Sequence, residues 1–214
     1  MSVRFRPVLA IGVCAALAAA TGVASAAAPK AKPVCNLITD DKDDAGVVTA
    51  QPGMDILSAD VASDKKNVTA VFRLAGPPSA PNPQAPGGTD YYFSFTTSDA
   101  SDPQFLHMSL PPVGAPTFAT GQTTSVGGQN TSTDDADAAT GSVTGNVVTI
   151  TAPVSAFGGR INLKAGHKLT GLTAEVFAQV GVPGVGGLLE NVDTASGSKS
   201  YVAGTPSCVV PGKG

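Results

Sequence analysis

The chain has 214 residues, a formal net charge of −3, 25 glycines, 17 prolines and no tryptophan. Mild acidity without a basic cluster argues against a nucleic-acid partner. A composition this rich in turn residues, with no long amphipathic window, argues against a helical bundle and suits many short strands in one domain.

The first 26 residues have the pattern of an export signal, with Arg4 and Arg6, an apolar run from Leu9 to Ala20 and the small-residue site Ala24-Ser25-Ala26. The mature chain is expected to start at Ala27, with a short lead over 27–34, one β-sandwich domain over 35–208 and a tail over 209–214. The expected location is extracellular, with no membrane insertion after signal cleavage. The apolar run is short for a bilayer span, and Val180 to Leu189 is interrupted by Pro183 and glycines. Cys14 follows the bulky Val13 inside the apolar run, which does not fit a lipidated cysteine. That leaves Cys35 and Cys208, one at each end of the domain, and in an oxidising compartment such a pair is expected to be a disulfide. Two free thiols fit an exported chain less well, and neither cysteine has a histidine at zinc-ligand spacing.

Taken in order, Val34 to Ile38 reads as an edge strand running into the acidic loop Asp40-Asp41-Lys42-Asp43-Asp44-Ala45-Gly46. Asp55 to Ala75 alternates on both arms of a hairpin around Asp64, Lys65 and Lys66. Leu57, Ala59 and Val61 share one face with Val68, Ala70, Phe72 and Leu74. Gly76 to Thr89 holds five prolines and is expected to be a long surface loop. Asp90 to Thr97 sets Tyr91, Phe93 and Phe95 against Tyr92, Ser94 and Thr96. Gln104 to Leu110 sets Leu106, Met108 and Leu110 against Phe105, His107 and Ser109. A short strand fits Pro116 to Thr120, and the polar Gly121 to Gly141 reads as a second long loop with an acidic cluster at Asp134, Asp135 and Asp137. Ser142 to Pro153 reads as a hairpin turning at Gly145-Asn146, followed by a turn-like piece over Val154 to Gly159. Leu172 to Val180 alternates again, a glycine-rich loop follows, and Ser200 to Ala203 is the last strand, beside the first. Seven to nine strands of this kind predict an all-β antiparallel sandwich or jelly roll with long loops.

Chemistry is sparse. There is no Gly-x-Ser-x-Gly elbow, no His-Glu-x-x-His and no phosphate loop. Glu175, one of two glutamates, interrupts a strand. With Asp60, Arg73, Tyr92 and Gln179 it could line the polar face of one sheet, the kind of surface that holds sugars. The competing reading is the solvent side of an ordinary half-buried sheet. Asp40, Asp41, Asp43 and Asp44 put hard oxygens at a density that suits calcium, with Asp55 or Asp60 within reach; the competing reading is a solvated acidic turn. No other cofactor is expected. Asn67-Val-Thr69 and Asn130-Thr-Ser132 have glycosylation spacing, but the alanine-rich signal looks bacterial and no modification is assigned.

The succession Asp-Asp-Lys-Asp-Asp-Ala, Asp-Ile-Leu-Ser-Ala-Asp-Val, Val-Thr-Ala-Val-Phe-Arg-Leu, Tyr-Tyr-Phe-Ser-Phe and Gly-Asn-Val-Val-Thr-Ile-Thr-Ala-Pro-Val-Ser-Ala-Phe-Gly resembles secreted bacterial β-sandwich modules, some appended to extracellular peptidases. More distantly it is similar to DOMON-type and carbohydrate-binding sandwiches. The resemblance implies ligand binding without turnover, with carbohydrate, a cell-envelope component or another extracellular protein as partner. Met108 and His107 are adjacent and on opposite faces, unlike a Met/His haem pair. The expected function is a non-catalytic extracellular binding or structural module. The alternative is an extracellular hydrolase assembled from Glu175, His107 and an aspartate.

Overall fold

The computed structural model describes residues 33–46, 51–83, 85–100, 102–126, 129–136, 139–161, 163–181 and 188–209. The expected signal segment, most of the lead, the tail from residue 210 on and Asp137 lie outside them. Twelve strands follow in chain order: β1 (Ile38–Thr39), β2 (Ile56–Ser63), β3 (Asn67–Leu74), β4 (Gly88–Thr97), β5 (Gln104–Leu110), β6 (Thr117–Val126), β7 (Gln129–Ala136), β8 (Thr140–Thr144), β9 (Val147–Pro153), β10 (Lys168–Val180), β11 (Leu188–Gly197) and β12 (Tyr201–Val202). They form two antiparallel sheets, ordered β1-β2-β3-β9-β8 and β11-β10-β4-β5-β6-β7, with β12 also on β10. The sheets pack face to face as a sandwich.

The β2/β3 hairpin forms where the alternation predicts it, and its turn is fixed locally. Asp64 Oδ1 accepts the backbone N–H groups of Lys66 and Asn67 at 2.7 Å each, so the side chain closes the turn that the backbone must make. Those two bonds also hold the Asp64 carboxyl below its ordinary pKa. One inward residue differs from expectation. A bulge between Ile56 and Ser58 leaves Leu57 opposite no residue of β3, so Leu57 is only half-buried and Ile56 takes the core position facing Leu74.

The core lies between the inner faces. Phe72 of β3 meets the edges of Tyr91 and Phe93 of β4 at centroid distances of 6.1 and 6.2 Å, and Phe95 meets Phe157 of the 3₁₀ turn Val154–Phe157 at 5.9 Å. Offset and edge-on contacts of this kind add to the area they bury. Tyr91 places its hydroxyl at the core margin and donates to Gly53 O at 2.8 Å. Burial, reinforced by the Asp90 charge next to it, pushes the Tyr91 phenol well above its ordinary value.

The two cysteines pair as expected, whereas the last strand, β12, lies beside β10 and not beside the first strand. Cys35 and Cys208 are bonded, with Cα atoms 5.1 Å apart at a sequence separation of 173, and Val34 bridges Ser207 in parallel. Closing so long a loop constrains the unfolded chain by about 5 kcal/mol at most in the chain-entropy account.

Two expected loops are structural. Residues 121–141 contain most of β6, all of β7 and the start of β8; Asp134 and Asp135 lie in β7. Threonine supplies β propensity there without any apolar alternation. The proline-rich stretch packs down onto the sandwich, with Ala85 and Asn82 buried and Asn82 Nδ2 at 3.2 Å from Met54 Sδ. Beneath it Gly53 lies so close to the Pro77 backbone that a Cβ has no room. Removing either stretch would therefore damage the fold. Strand β11 is an addition to the expected set, since its buried apolar residues are only Val192 and Ala195 while Leu188 and Leu189 are exposed.

With Phe72 fully buried between two aromatic rings, Phe72→Ala should lower unfolding free energy by about 3–5 kcal/mol in a denaturant titration. An effect below about 1 kcal/mol would show that β3 does not face β4.

Candidate functional site

Alternation sends every second residue of β4, β5 and β10 to the outer face of the larger sheet, and the register aligns them across strands. Glu175 pairs with Tyr92, which pairs with His107; Phe177 pairs with Asp90, which pairs with Ser109. The Tyr92 and His107 rings stack at 4.1 Å with planes 4° apart, while Phe105 and Phe177 meet Tyr92 edge-on at 5.2 and 5.7 Å. Phe105 is 1% and His107 7% exposed. A sheet face turned away from the core ordinarily goes to water; here it carries an aromatic cluster of its own.

Asp90 anchors that cluster. It is 3% exposed, with Oδ1 3.0 Å from His107 Nε2 and Oδ2 accepting Gln179 Nε2 at 2.6 Å. Burial by itself raises its pKa. Hydrogen bonds from His107, Gln179 and Ser109, together with the charge of His107, outweigh burial and leave the carboxyl below its ordinary value. Glu175, two strands from His107, has no such donors, and burial pushes it up.

The arrangement is a hub centred on a carboxylate. A nucleophilic triad places its histidine between the acid and the hydroxyl; here the aspartate lies between histidine and serine, which suits holding side chains rather than moving a proton along them. Asp90 and Ser109 were not among the expected site residues. Asp90 is two residues before Tyr92 on the same face, so its position was readable, but its partners depend on register across three strands.

The five residues expected to share one face are divided. Tyr92, Glu175 and Gln179 lie together on the larger sheet, whereas Asp60 and Arg73 lie on β2 and β3 of the smaller one. Alternation gave all five the same outward sense and carried no information on which sheet each strand would join. Asp60 is fully buried, with Oδ1 accepting Leu37 N–H at 2.9 Å and Oδ2 accepting Arg73 Nη1 at 2.7 Å. This pair fastens the segment entering β1 to the hairpin, and Asp60 itself presents no surface to a ligand.

The acidic loop also regroups. Carboxylate oxygens of Asp40, Asp44 and Asp193 lie within 4.8 Å of one another. Asp41 and Asp43 stay outside: Asp41 donates its N–H to Asp40 Oδ1, and the Asp43 side chain is exposed beside Lys42. Asp193 enters from β11. Burial, then the Asp193 and Asp44 charges, raise Asp40 to about 6; burial and the Asp44 and Asp55 charges raise Asp193.

Two predictions follow from the partners of Asp60 and Asp90. Arg73→Ala strands a buried carboxylate and should cost about 3 kcal/mol, the low end for a broken buried pair because the arginine side chain reaches solvent; a loss below about 0.5 kcal/mol contradicts the pairing. Because the folded Asp90 pKa is depressed, its stabilisation is present above the unfolded value and disappears as pH falls through the folded one. Asp90→Asn should therefore be less stable than wild type at pH 7, with the gap narrowing below about pH 4. A gap independent of pH would contradict the ionised hub.

No family model, curated protein or solved structure matches this chain, so no residue role is transferred to it.

Proposed function

We propose that the protein is an exported, non-catalytic β-sandwich that binds carbohydrate through the outer face of its larger sheet. The observation that carries this reading is the row Glu175, Tyr92, His107, with Phe177 and Gln179 beside it. Half-buried Tyr92 and Phe177 offer apolar ring surface to sugar C–H groups, and Glu175 supplies a carboxylate alongside. On β11, Thr194 pairs with Glu175 and Asn191 with Phe177, adding an exposed hydroxyl and amide to the same face. Asp90 fixes the His107 and Gln179 side chains, so the face is preorganised. The disulfide supports the export half of the reading, since such bonds persist in oxidising compartments.

The second reading, an extracellular hydrolase, has one observation in its favour. Glu175, with a raised pKa, shares a row and a face with His107. Two strand spacings put their backbones about 10 Å apart, with the Tyr92 ring in the row between them. That separation does not suit a direct proton transfer.

Retention of the mature protein on insoluble polysaccharides and on peptidoglycan tests the proposal. Wild type should be retained by at least one matrix, and Tyr92→Ala and the isosteric Glu175→Gln should each weaken retention by roughly tenfold while remaining folded by circular dichroism. Retention unchanged in both variants, or absent from wild type, would contradict it. Hydrolysis of a glycoside, ester or peptide panel that Glu175→Gln or His107→Ala abolishes without unfolding would establish the second reading instead.

A further inference from the structure

The acidic loop after β1 brings together carboxylates that no lysine or arginine among the described residues neutralises. Asp40 and Asp44 converge on Asp193, and Asp55, the residue before β2, lies against the same loop. Asp55 Oδ2 accepts the Asp43 N–H at 2.8 Å. Its Oδ1 is buried without a hydrogen-bond partner, the residue is 4% exposed, and its charge bears on Asp193. Asp40 Oδ2 is likewise buried and unpartnered. Among the described residues none of these four carboxylates pairs with a lysine or arginine. A carboxylate oxygen removed from water without a donor is costly, and proteins that keep one usually pair it or place it on a metal.

We propose that Asp40, Asp44, Asp55 and Asp193 form a calcium site. The donors are hard oxygens with no sulfur or imidazole among them, which disfavours zinc and copper. They come from a loop, from the residue entering one strand and from a second strand in the other sheet. Calcium accepts such an irregular set of six to eight oxygens, carbonyls and waters included, while magnesium requires a near-ideal octahedron. The ion would tie together three segments: the loop after β1, the start of β2 and the middle of β11. Backbone bonds already position them, Asp40 N–H donating to Leu57 O at 3.1 Å, Gly46 N–H to Val192 O at 2.8 Å, and Ile56 N–H to Asp193 Oδ2 at 2.6 Å. The site is separate from the outer face and stands whether or not that face binds sugar.

The test is calcium titration of the chelator-treated mature protein, followed by isothermal calorimetry and by thermal melting. A dissociation constant of about 0.1–1 mM is expected, the range of extracellular modules, with a rise in melting temperature that chelator reverses. Asp44→Asn, at an exposed side chain that the fold does not need, should weaken binding roughly tenfold or more, as should Asp193→Asn, whereas Asp41→Asn should bind as wild type does. No heat and an unmoved melting curve with folded wild type at about 10 mM calcium would overturn the proposal. Wild-type affinity in Asp44→Asn, or a response to magnesium or manganese with none to calcium, would also overturn it.

Discussion

The in-and-out alternation of β4 is the constraint on which the rest of the molecule depends. Its odd-numbered aromatics, Tyr91, Phe93 and Phe95, enter the core, where Phe72 from the opposite sheet meets the edges of the first two. The same strand therefore has to present Asp90 and Tyr92 outward, and there they collect His107 and Phe105 from β5 and Phe177 and Gln179 from β10. A slip of one residue would exchange the two sets. Packing in the core and the make-up of the outer face are thus set by one register.

The outer face combines two physical regimes. Asp90, His107 and Phe105 are nearly as enclosed as the core, and the Asp90 and His107 side chains are hydrogen-bonded to each other; Tyr92, Glu175, Phe177 and Gln179 remain half-exposed. A rigid floor under an accessible rim lowers the ordering cost of binding. On the smaller sheet Asp60 shows the contrary use of a charge. Fully buried, and held by Arg73 and the Leu37 N–H, it fastens an edge and faces no solvent cleft.

Much of the fold was legible because period-two alternation is a local signal. The β2/β3 and β8/β9 hairpins, the Tyr91/Phe93/Phe95 strand and the terminal disulfide follow from residues close together or from a single cysteine pair. What escaped were strands without apolar contrast. The start of β6 was expected over Pro116 to Thr120, but its second half and β7 are threonine, serine and other polar residues without apolar alternation, and β11 buries only two apolar side chains, Val192 and Ala195. The candidate sites were half legible for the same reason. Glu175, Tyr92 and Gln179 could be assigned an outward face, but Asp60 and Arg73 were grouped with them because sheet membership is non-local. Asp193 joined the loop carboxylates only through β11, the strand that alternation did not reveal, and the bulge at Leu57 depended on pairing with β3.

The register of β4 between β5 and β10 can be measured directly by side-chain nuclear Overhauser contacts in the labelled mature protein. The account predicts contacts from the Tyr92 ring to His107, Phe105 and Phe177, and from Phe72 to Tyr91 and Phe93, with none between Phe72 and Tyr92. A contact between the Phe72 and Tyr92 rings, or Tyr91 in contact with His107, would put the wrong face of β4 inward and contradict both the core and the outer face proposed for binding.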